Sequence, residues 1–327
     1  MSPADAWVAA IAAAATWVTV AAALPWLRRR ALDHPTDRSS HTVPTPRGGG
    51  IGVLTGLVVG CAVGGVLGHP PSWWVVLAAS SLGVLGLTED LRGLSIRVRL
   101  ATQVALCLGL VAGLAVTQSE PLWVLVAAFG LVVLVNAYNF MDGINGISSL
   151  SALVAGAWYA HLASTADAER LTVAAVALAG AAVGFLPWNL VRARAFLGDC
   201  GSYALGGAVG LLGLAVWLEG ASAVAAVAPL LLYLADVGWT LAWRVGRREP
   251  WYEAHRQHVY QRLADAAGHL RASLAVAGLS AVLCLSVVVL DDRSVGWLLL
   301  VDVVVVGGYL ATGTVLRQVG RAPRPVG

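Results

Sequence analysis

The sequence predicts an all-α membrane protein, a polytopic bundle of about 11 transmembrane helices in which residues 1–327 form a single domain. Only 12% of the residues are charged and 58% are hydrophobic, whereas a soluble domain carries about twice that share of charge. The mean hydropathy is +0.76, and the apolar residues come in runs of roughly 16–23, the length at which a helix crosses a bilayer. The lipid bilayer is therefore an expected partner. The small net charge of +3 gives no reason to expect nucleic acid.

The apolar runs define the predicted spans. They lie at about 6–27, 49–68, 73–88, 100–117, 121–137, 148–163, 171–188, 201–218, 221–243, 272–290 and 295–316. Several are short and rich in glycine, and small residues let membrane helices approach closely, so we expect a compact bundle. The first run has no basic leader and is followed by Arg28, Arg29 and Arg30, which favours a retained span over a signal peptide. The four cysteines have neither metal nor disulfide spacing and are predicted to be buried and small.

The positive charges predict how the bundle is oriented. All 21 basic residues are arginines, and all but Arg170 and Arg293 follow spans one, three, seven and nine or lie in the C-terminal tail. Arginine-rich loops stay in the cytoplasm, so the N-terminus is expected outside and the C-terminus inside an inner or plasma membrane. The inner connections, 28–48, 89–99, 136–148, 189–200 and 244–271, also carry nearly all of the unusual polar residues. The functional face is therefore predicted to be cytoplasmic.

The third inner connection, residues 136–146, is the most distinctive stretch of the chain. On a helix end, Asn136, Asn139 and Asp142 would fall close to one face. A polar face of this kind could hold a metal ion or a phosphate group. A simple surface turn is the alternative, because glycine and asparagine tolerate positive φ.

The first inner connection ends in Arg47 and three glycines at the start of an apolar run. A glycine-rich turn that opens a helix exposes backbone N–H groups, and an arginine beside it suits a phosphate. This reading makes Gly49 and Arg47 candidate substrate contacts. A flexible connector with glycines for close packing is the alternative.

Two further inner connections place carboxylates at span ends. Glu89 and Asp90 stand side by side, and carboxylates near hydrocarbon need a partner; Mg²⁺ is one candidate, and Arg92 is the other. Asp199 lies between Gly198 and Gly201 just as a span begins. It could be a helix N-cap or a metal ligand.

The last inner connection has two histidines and two arginines within residues 255–262. His255, Arg256 and His258 favour contact with phosphate over zinc, because no cysteine accompanies them and the arginine neighbours oppose a cation. Asp236 lies inside the ninth span and needs a buried partner. Together these loops are typical of metal-assisted phosphoryl transfer with a lipid as one substrate.

Taken together, these motifs resemble the polyprenyl-phosphate N-acetylhexosamine-1-phosphate transferases of glycosyltransferase family 4. The resemblance extends from about Ser39 to Arg262, and the motifs stand in the family's order on one predicted side. The matching pieces are residues 41–50, Glu89 and Asp90 with 93–95, 136–146, 198–202, Asp236 and 255–262.

The resemblance implies an enzyme that moves N-acetylhexosamine-1-phosphate from a UDP-sugar to a polyprenyl phosphate, such as undecaprenyl or decaprenyl phosphate, and releases UMP. It implies Mg²⁺, with Mn²⁺ as a substitute, and the first membrane step of cell-envelope glycan synthesis. Residues 255–262 look closer to members that initiate O-antigen than to those that take UDP-MurNAc-pentapeptide. The donor is then UDP-GlcNAc or a relative. The sequence leaves a homodimer open.

The same resemblance assigns roles to individual residues. It implies catalytic roles for Asp90, Asp142, Asp199, Glu89 and His258, with Asp199, Asp90 and Asp142 as metal ligands. It implies substrate contacts from Asn136, Asn139, Asn145, Arg47, Gly49, Arg256, His255 and Asp236. Two positions depart from the family pattern, since Glu89 and Asn145 stand where aspartates are usual.

Two other functions stay open at this point. Because of Glu89 and Asn145, the chain could be a catalytically impaired member that acts as a scaffold. A membrane transporter is the other alternative, since Asp236 and Asp302 lie within predicted spans. Against transport, the other acidic residues of interest cluster at inner span ends, and the two halves show no clear repeat. Mg²⁺-dependent release of UMP separates the enzyme from both.

Overall fold

The computed structural model describes residues 2–35, 40, 42–114, 121–250, 255–290 and 295–319, so the predicted motif residue His41 lies outside it. It confirms the all-α prediction. The helices are α1 (Pro3–Arg30), α2 (Gly50–Val66), α3 (Trp73–Arg92), α4 (Ile96–Leu114), α5 (Pro121–Met141), α6 (Ile147–Thr165), α7 (Glu169–Asn189), α8 (Gly198–Leu218), α9 (Ala223–Val227), α10 (Leu231–Gly246), α11 (Val259–Ala267), α12 (His269–Leu290) and α13 (Val295–Val319).

Within the described residues, each predicted span overlaps a helical segment, but not all of these segments are clear membrane spans. Within the described residues, nine stretches are long and apolar enough to cross a bilayer. The helix α2 is apolar but has only 17 residues, about 26 Å of helix. Three of the first residues of α6 are serines, all of them buried (Ser148, Ser149, Ser151). These polar residues lower the hydropathy of α6. Length and composition therefore support nine of the eleven predicted spans.

The ninth predicted span is not one continuous α-helix. A 3₁₀ turn (Ala228–Leu230) joins α9 to α10. Pro229 lies in this turn, and proline has no N–H to donate and its ring crowds the preceding turn of an α-helix. The helical pattern is therefore interrupted here, and α10 continues past Asp236, which contacts α11 beside the end of α5.

The loop after α1 is closed by a minimal hairpin. The strands β1 (Leu32–Asp33) and β2 (Thr45–Pro46) pair in antiparallel fashion, with Leu32 opposite Pro46. The Arg47 N–H then donates to the Ala31 carbonyl oxygen at 2.8 Å. This pairing brings Arg47 back to the end of α1, beside the last turn of α3.

Small residues let the helices pack closely, as the glycine content predicts. A Cβ atom added at Gly180 of α7 would lie 2.3 Å from the Ala9 carbonyl oxygen of α1, and one at Gly184 would lie 2.2 Å from that of Ala13. Backbones at this distance have no room for a methyl group. The four cysteines are free and buried, as expected.

One glycine contact sets the position of a predicted site residue. We expect Gly86→Ala to destabilise the protein by about 1–3 kcal/mol, because its Cβ would lie 2.1 Å from the Asp199 carbonyl oxygen and the backbone must move. Catalytic turnover should fall as well, because Asp199 shifts with its backbone. The thermal midpoint in detergent and the turnover rate measure the two effects.

Gly109→Ala is the matched control for this prediction. Gly109 also lies within a helix, α4, but an added Cβ would meet nothing within 4 Å. This variant should keep its thermal midpoint and its turnover. Equal behaviour of the two variants would contradict the packing argument.

Two connections on the predicted outer side, those after α2 and α6, meet at one end of the bundle. His69, after α2, forms an ion pair with Glu169 at the start of α7. The Ser72 N–H donates to the Arg170 carbonyl oxygen at 2.8 Å. The helix α7 runs from this end to Asn189, where the predicted inner connections come together. The direction of the bundle relative to the membrane stays a prediction.

Candidate active site

A cavity of about 350 Å³ opens where the predicted inner connections converge. Residues from five separate parts of the chain form its wall, so it exists only in the folded protein. The lining residues are Asp33, Ser40, Arg47, Asp90, Asn139, Asp142, Gly143, Ile144, Asn145, Asn189, Phe196, Leu197, Gly198, Asp199, Gln261 and His269. The cavity therefore contains all three predicted metal-binding carboxylates.

Asp90 holds the start of α8. Its Oδ1 accepts the Asp199 N–H at 3.2 Å, and its Oδ2 accepts the Cys200 N–H at 3.0 Å. These are N–H groups of the first helical turn, which have no partner within the helix. A side chain from α3 thus supplies the cap, a role that the sequence analysis left open for Asp199 itself.

Arg47 is the cation beside this carboxylate, not Arg92. The Arg47 Nε lies 3.7 Å from the Asp90 Oδ1, and its Nη2 donates to the Asp90 carbonyl oxygen at 3.1 Å. The Arg47 side chain is 44% exposed. Arg47 therefore lines the cavity, and the exposed part of its side chain can contact an anionic substrate.

Asp199 is oriented by a neighbouring amide. The Asn139 Nδ2 donates to the Asp199 Oδ1 at 2.7 Å and to the Ser202 Oγ at 3.1 Å. Asn139 lies in the last turn of α5, and Asp199 lies in the first turn of α8. The amide fixes one carboxylate oxygen, and the other can face a ligand in the cavity.

Asp142 follows the last residue of α5 and lies in the same wall. Burial raises the pKa of its carboxyl group to about 8, and the charges of Asp199 and Asp90 act in the same direction. Three carboxylates in one cavity repel each other unless a proton or a cation is present. The charge of this wall therefore favours a cation.

The donor set suits Mg²⁺ with a bound substrate rather than a closed metal cage. Across the described residues, no three side chains of His, Cys, Asp or Glu lie close enough together to hold a metal ion alone. Mg²⁺ commonly takes one or two carboxylates and completes its shell with water and phosphate oxygens. Because Asp90 already caps α8, Asp142 and Asp199 are the two carboxylates that would hold it. The predicted set of three ligands stays a prediction, and Asp142 and Asp199 are the two members that do not cap a helix.

The glycine turn does not form the predicted anion site. The Gly49 N–H donates to the Phe196 carbonyl oxygen and the Gly50 N–H to that of Leu197, both at 2.9 Å. A Cβ on Gly50 would lie 2.2 Å from the Gly201 Cα. These glycines serve close packing between the starts of α2 and α8, which was the alternative reading.

Glu89 and Asn136 point to partners outside the cavity. The Glu89 Oε2 accepts the Leu94 N–H at 2.7 Å, and its Oε1 lies 3.6 Å from an Arg99 Nη1. The Asn136 amide donates to the Gln103 Oε1 on α4 at 2.9 Å. Asn136 therefore joins two helices, and only Asn139 and Asp142 of that predicted face reach the cavity.

The histidine-bearing loop also differs from the prediction. His258 is 3% exposed, and its Nδ1 lies 3.1 Å from the Asp236 Oδ1. Asp236 is fully buried, so it cannot contact a substrate directly. Arg256 forms an ion pair with Asp265.

His255 stacks on the His258 ring at 5.0 Å between ring centroids. Burial lowers the pKa of its imidazole to about 4. The ring is thus neutral at pH 7, which does not favour the predicted phosphate contact. None of His255, Arg256, His258 and Asp236 lines the cavity.

Several polar lining residues were not among the predicted catalytic, substrate-binding or metal-binding residues. Asp33, Asn189, Gln261 and His269 lie in the wall. Asn189 links two loops, since its Oδ1 accepts the Gly146 N–H and its Nδ2 donates to the Ala195 carbonyl oxygen. A polar residue beside the end of a long apolar run is the signal that could have found Asn189, which follows such a run, and His269, which precedes one.

Asn145 also lies in the wall, as predicted. Its N–H faces the His269 Nδ1 at 3.4 Å, and its carbonyl oxygen accepts the Ser273 hydroxyl at 2.7 Å. The backbone of Asn145 is thus held by α12. Its amide side chain can offer hydrogen bonds but no charge.

Comparison with known proteins agrees with this arrangement. Residues 72–217 match the model of glycosyl transferase family 4. The phospho-N-acetylmuramoyl-pentapeptide-transferase of Phenylobacterium zucineum (strain HLK1) is 30% identical over 254 residues, which cover 62% of this chain and 68% of that relative. The "Probable undecaprenyl-phosphate N-acetylglucosaminyl 1-phosphate transferase" of Bacillus subtilis (strain 168) is 24% identical over 288 residues, 82% of this chain and 79% of that relative.

The fold and the cavity define a multi-pass membrane protein with a carboxylate-lined site at one end of a helix bundle. Its relatives are transferases of phosphorylated sugars by name. The chain belongs to glycosyl transferase family 4.

Proposed function

We propose that the protein transfers N-acetylhexosamine-1-phosphate from a UDP-sugar to polyprenyl phosphate at the cytoplasmic face of the membrane. An oxygen of the lipid phosphate attacks the sugar-bearing phosphorus, the bond to the bridging oxygen breaks, and UMP leaves. The product is a polyprenyl diphosphate sugar, the starting lipid of an envelope glycan. We propose UDP-GlcNAc as the donor, because of the 255–262 motif and because the Bacillus subtilis relative is named as an N-acetylglucosaminyl 1-phosphate transferase.

The observation that carries this proposal is the juxtaposition of Asp199, Asp142 and Arg47 in one cavity. Two anionic substrates must meet in this reaction, and their mutual repulsion is the main obstacle. Arg47 can contact one phosphate, and Asp142 and Asp199 would hold Mg²⁺, or Mn²⁺ in its place. The ion would supply positive charge to the diphosphate of the donor.

The chain's own residues provide orientation. The Asn139 amide holds the Asp199 carboxylate in one rotamer, and Asp90 fixes the start of α8 on which Asp199 stands. Pre-positioned charges of this kind supply most of the rate in phosphoryl transfer. A separate base is less necessary, because a phosphate monoester is already largely ionised near neutral pH.

The two rival functions receive less support from the site. A transporter would need its charged site near the middle of the membrane, whereas this cavity lies among connections at helix ends. A scaffold would not need Asp199 and Asp142 in one cavity with a cation beside them. The glutamate and asparagine that stand for aspartates, Glu89 and Asn145, do not remove either carboxylate.

The direct test is release of UMP by the purified chain with undecaprenyl phosphate and a panel of UDP-sugars, with Mg²⁺, with Mn²⁺ and with EDTA. We expect release that needs the lipid and the ion and is fastest with UDP-GlcNAc. Folded protein that releases no UMP from any donor would overturn the proposal and favour the scaffold. A different best donor would change the sugar but keep the reaction.

A further inference from the structure

Asp236 is a buried carboxylate that organises the start of α11. Its Oδ1 accepts the Val259 N–H at 3.0 Å, and its Oδ2 accepts the Tyr260 N–H at 3.0 Å. The Thr240 hydroxyl donates to the Oδ1 at 3.2 Å. A side chain of α10 thus caps a helix that follows it by 23 residues, as Asp90 caps α8.

The helix α13 contacts this cap from the other side. The Tyr309 hydroxyl donates to the Asp236 Oδ2 at 2.7 Å. The Arg262 Nη1 donates to the Gly313 carbonyl oxygen at 3.0 Å, and a Cβ on Gly313 would lie 2.5 Å from a Val259 methyl group. One face of α13 is therefore fitted to α11, in a part of the chain beyond the residues that match the family model.

The start of α11, which Asp236 caps, reaches the cavity. The Tyr260 hydroxyl donates to the Phe140 carbonyl oxygen at 2.8 Å, and the Tyr260 oxygen would lie 2.2 Å from a Cβ on Gly143. Gln261 lines the cavity, and its Oε1 accepts the His258 N–H at 3.2 Å. A shift of α11 would therefore move Gln261 and press on the loop that carries Asp142.

We propose that Tyr309 is a positioning residue: through Asp236 it sets the place of α11, and so of Gln261, against the donor-binding cavity. The expected effect on turnover rests on the proposed function, whereas the expected effect on the position of α11 does not. The hydroxyl at the end of this chain of contacts lies on α13 and does not line the cavity.

Tyr309→Phe tests the proposal in the full chain in a lipid nanodisc. Removing one hydroxyl leaves the ring and its packing but takes one donor from a buried carboxylate. Hydrogen exchange of the Val259 and Tyr260 amides should become about tenfold faster, because their acceptor is less firmly held. The KM for UDP-GlcNAc should rise and kcat/KM should fall about tenfold to a hundredfold. The KM for undecaprenyl phosphate should stay the same.

Tyr159→Phe is the matched control. Its hydroxyl is also fully buried and donates to a backbone carbonyl oxygen, that of Ala226, at 2.8 Å. It joins α6 to α9 and lies outside the cavity. Both variants should lose some thermal stability, but only Tyr309→Phe should change the exchange of the α11 amides and the KM for the donor.

A second variant tests the same proposal if Tyr309→Phe does not fold. Thr240→Val removes the Thr240 donor from the same carboxylate at nearly constant volume, and it should change the same quantities in the same direction. Unchanged exchange and unchanged KM in the folded variants would overturn the positioning role. Faster exchange of the α11 amides in Tyr309→Phe, together with no UMP release from the wild type, would instead support the positioning and reject the proposed reaction.

Discussion

Asp199→Asn should reduce UMP release by about a hundredfold to a thousandfold or more, the range seen when a group that stabilises transition-state charge is lost. The substitution keeps the shape of the side chain and leaves an oxygen that can accept the hydrogen bond from Asn139. It removes the negative charge that would hold Mg²⁺. We therefore expect a near-normal thermal midpoint together with lost turnover, and weaker stabilisation by Mg²⁺ in the thermal assay.

Glu169→Gln is the matched control for Asp199. It removes one carboxylate charge at the start of α7, about 30 Å of helix away from the end that lines the cavity. Its ion pair with His69 is exposed, and such pairs contribute little stability. UMP release should be unchanged in this variant. An Asp199→Asn protein that turns over at the same rate as Glu169→Gln would show that Asp199 does not serve the reaction.

Asp142→Asn should lower turnover about a hundredfold and at the same time stabilise the protein in the absence of Mg²⁺. Burial raises the pKa of Asp142 from an ordinary value of 3.8 to about 8. A carboxyl group whose pKa is higher in the folded state makes folding less favourable above its unfolded pKa, and this cost grows until the pH passes the folded pKa. Between about pH 4 and pH 8 the wild type should therefore lose stability with rising pH relative to the variant.

Thermal midpoints at several pH values in EDTA measure this difference, and a parallel Mg²⁺ titration measures its reversal. The wild type should gain more from Mg²⁺ than Asp142→Asn does. Equal pH profiles of the two proteins would contradict the assignment of a buried, destabilising charge. A stable variant with full turnover would remove Asp142 from the site.

Asp90→Asn should behave in the opposite way, which separates the roles of these two carboxylates. Both Asp90 oxygens accept backbone N–H groups of α8, and an amide nitrogen cannot accept one of them. The variant should lose about 1–3 kcal/mol of stability. Turnover should fall with it, because Asp199 stands on the turn that Asp90 holds. Loss of turnover without loss of stability would favour a direct catalytic role for Asp90.

The candidate site was partly predictable from the sequence because its chemistry needs residue types that are costly in a membrane. Asp142, Asp199 and Asn139 stood out as polar side chains at the ends of apolar runs, and the structure brings them into one cavity. His258 and Asp236 stood out for the same reason. Their signal was real but ambiguous, because a buried polar pair that holds two helices together has the same sequence pattern as a substrate contact.

The sequence alone determined the fold class and the positions of the long apolar helices. Long apolar runs leave a chain in a bilayer few alternatives to helices, because every backbone N–H and C=O group must find a partner within the membrane. It also indicated that the polar connections contribute to one site, since charged side chains concentrate there, and residues from all five of them line the cavity. These conclusions depend on composition and local pattern only.

Only the tertiary structure decided which polar side chains face the cavity. Asp90 and Asp199 are 109 residues apart in the chain, and their contact exists because α3 and α8 pack closely at Gly86. Likewise, the sequence did not show whether Gly49 binds an anion or serves close packing. The structure decides this, because the Gly49 N–H donates to the Phe196 carbonyl oxygen. Partners of this kind come from distant parts of the chain, so no local pattern specifies them.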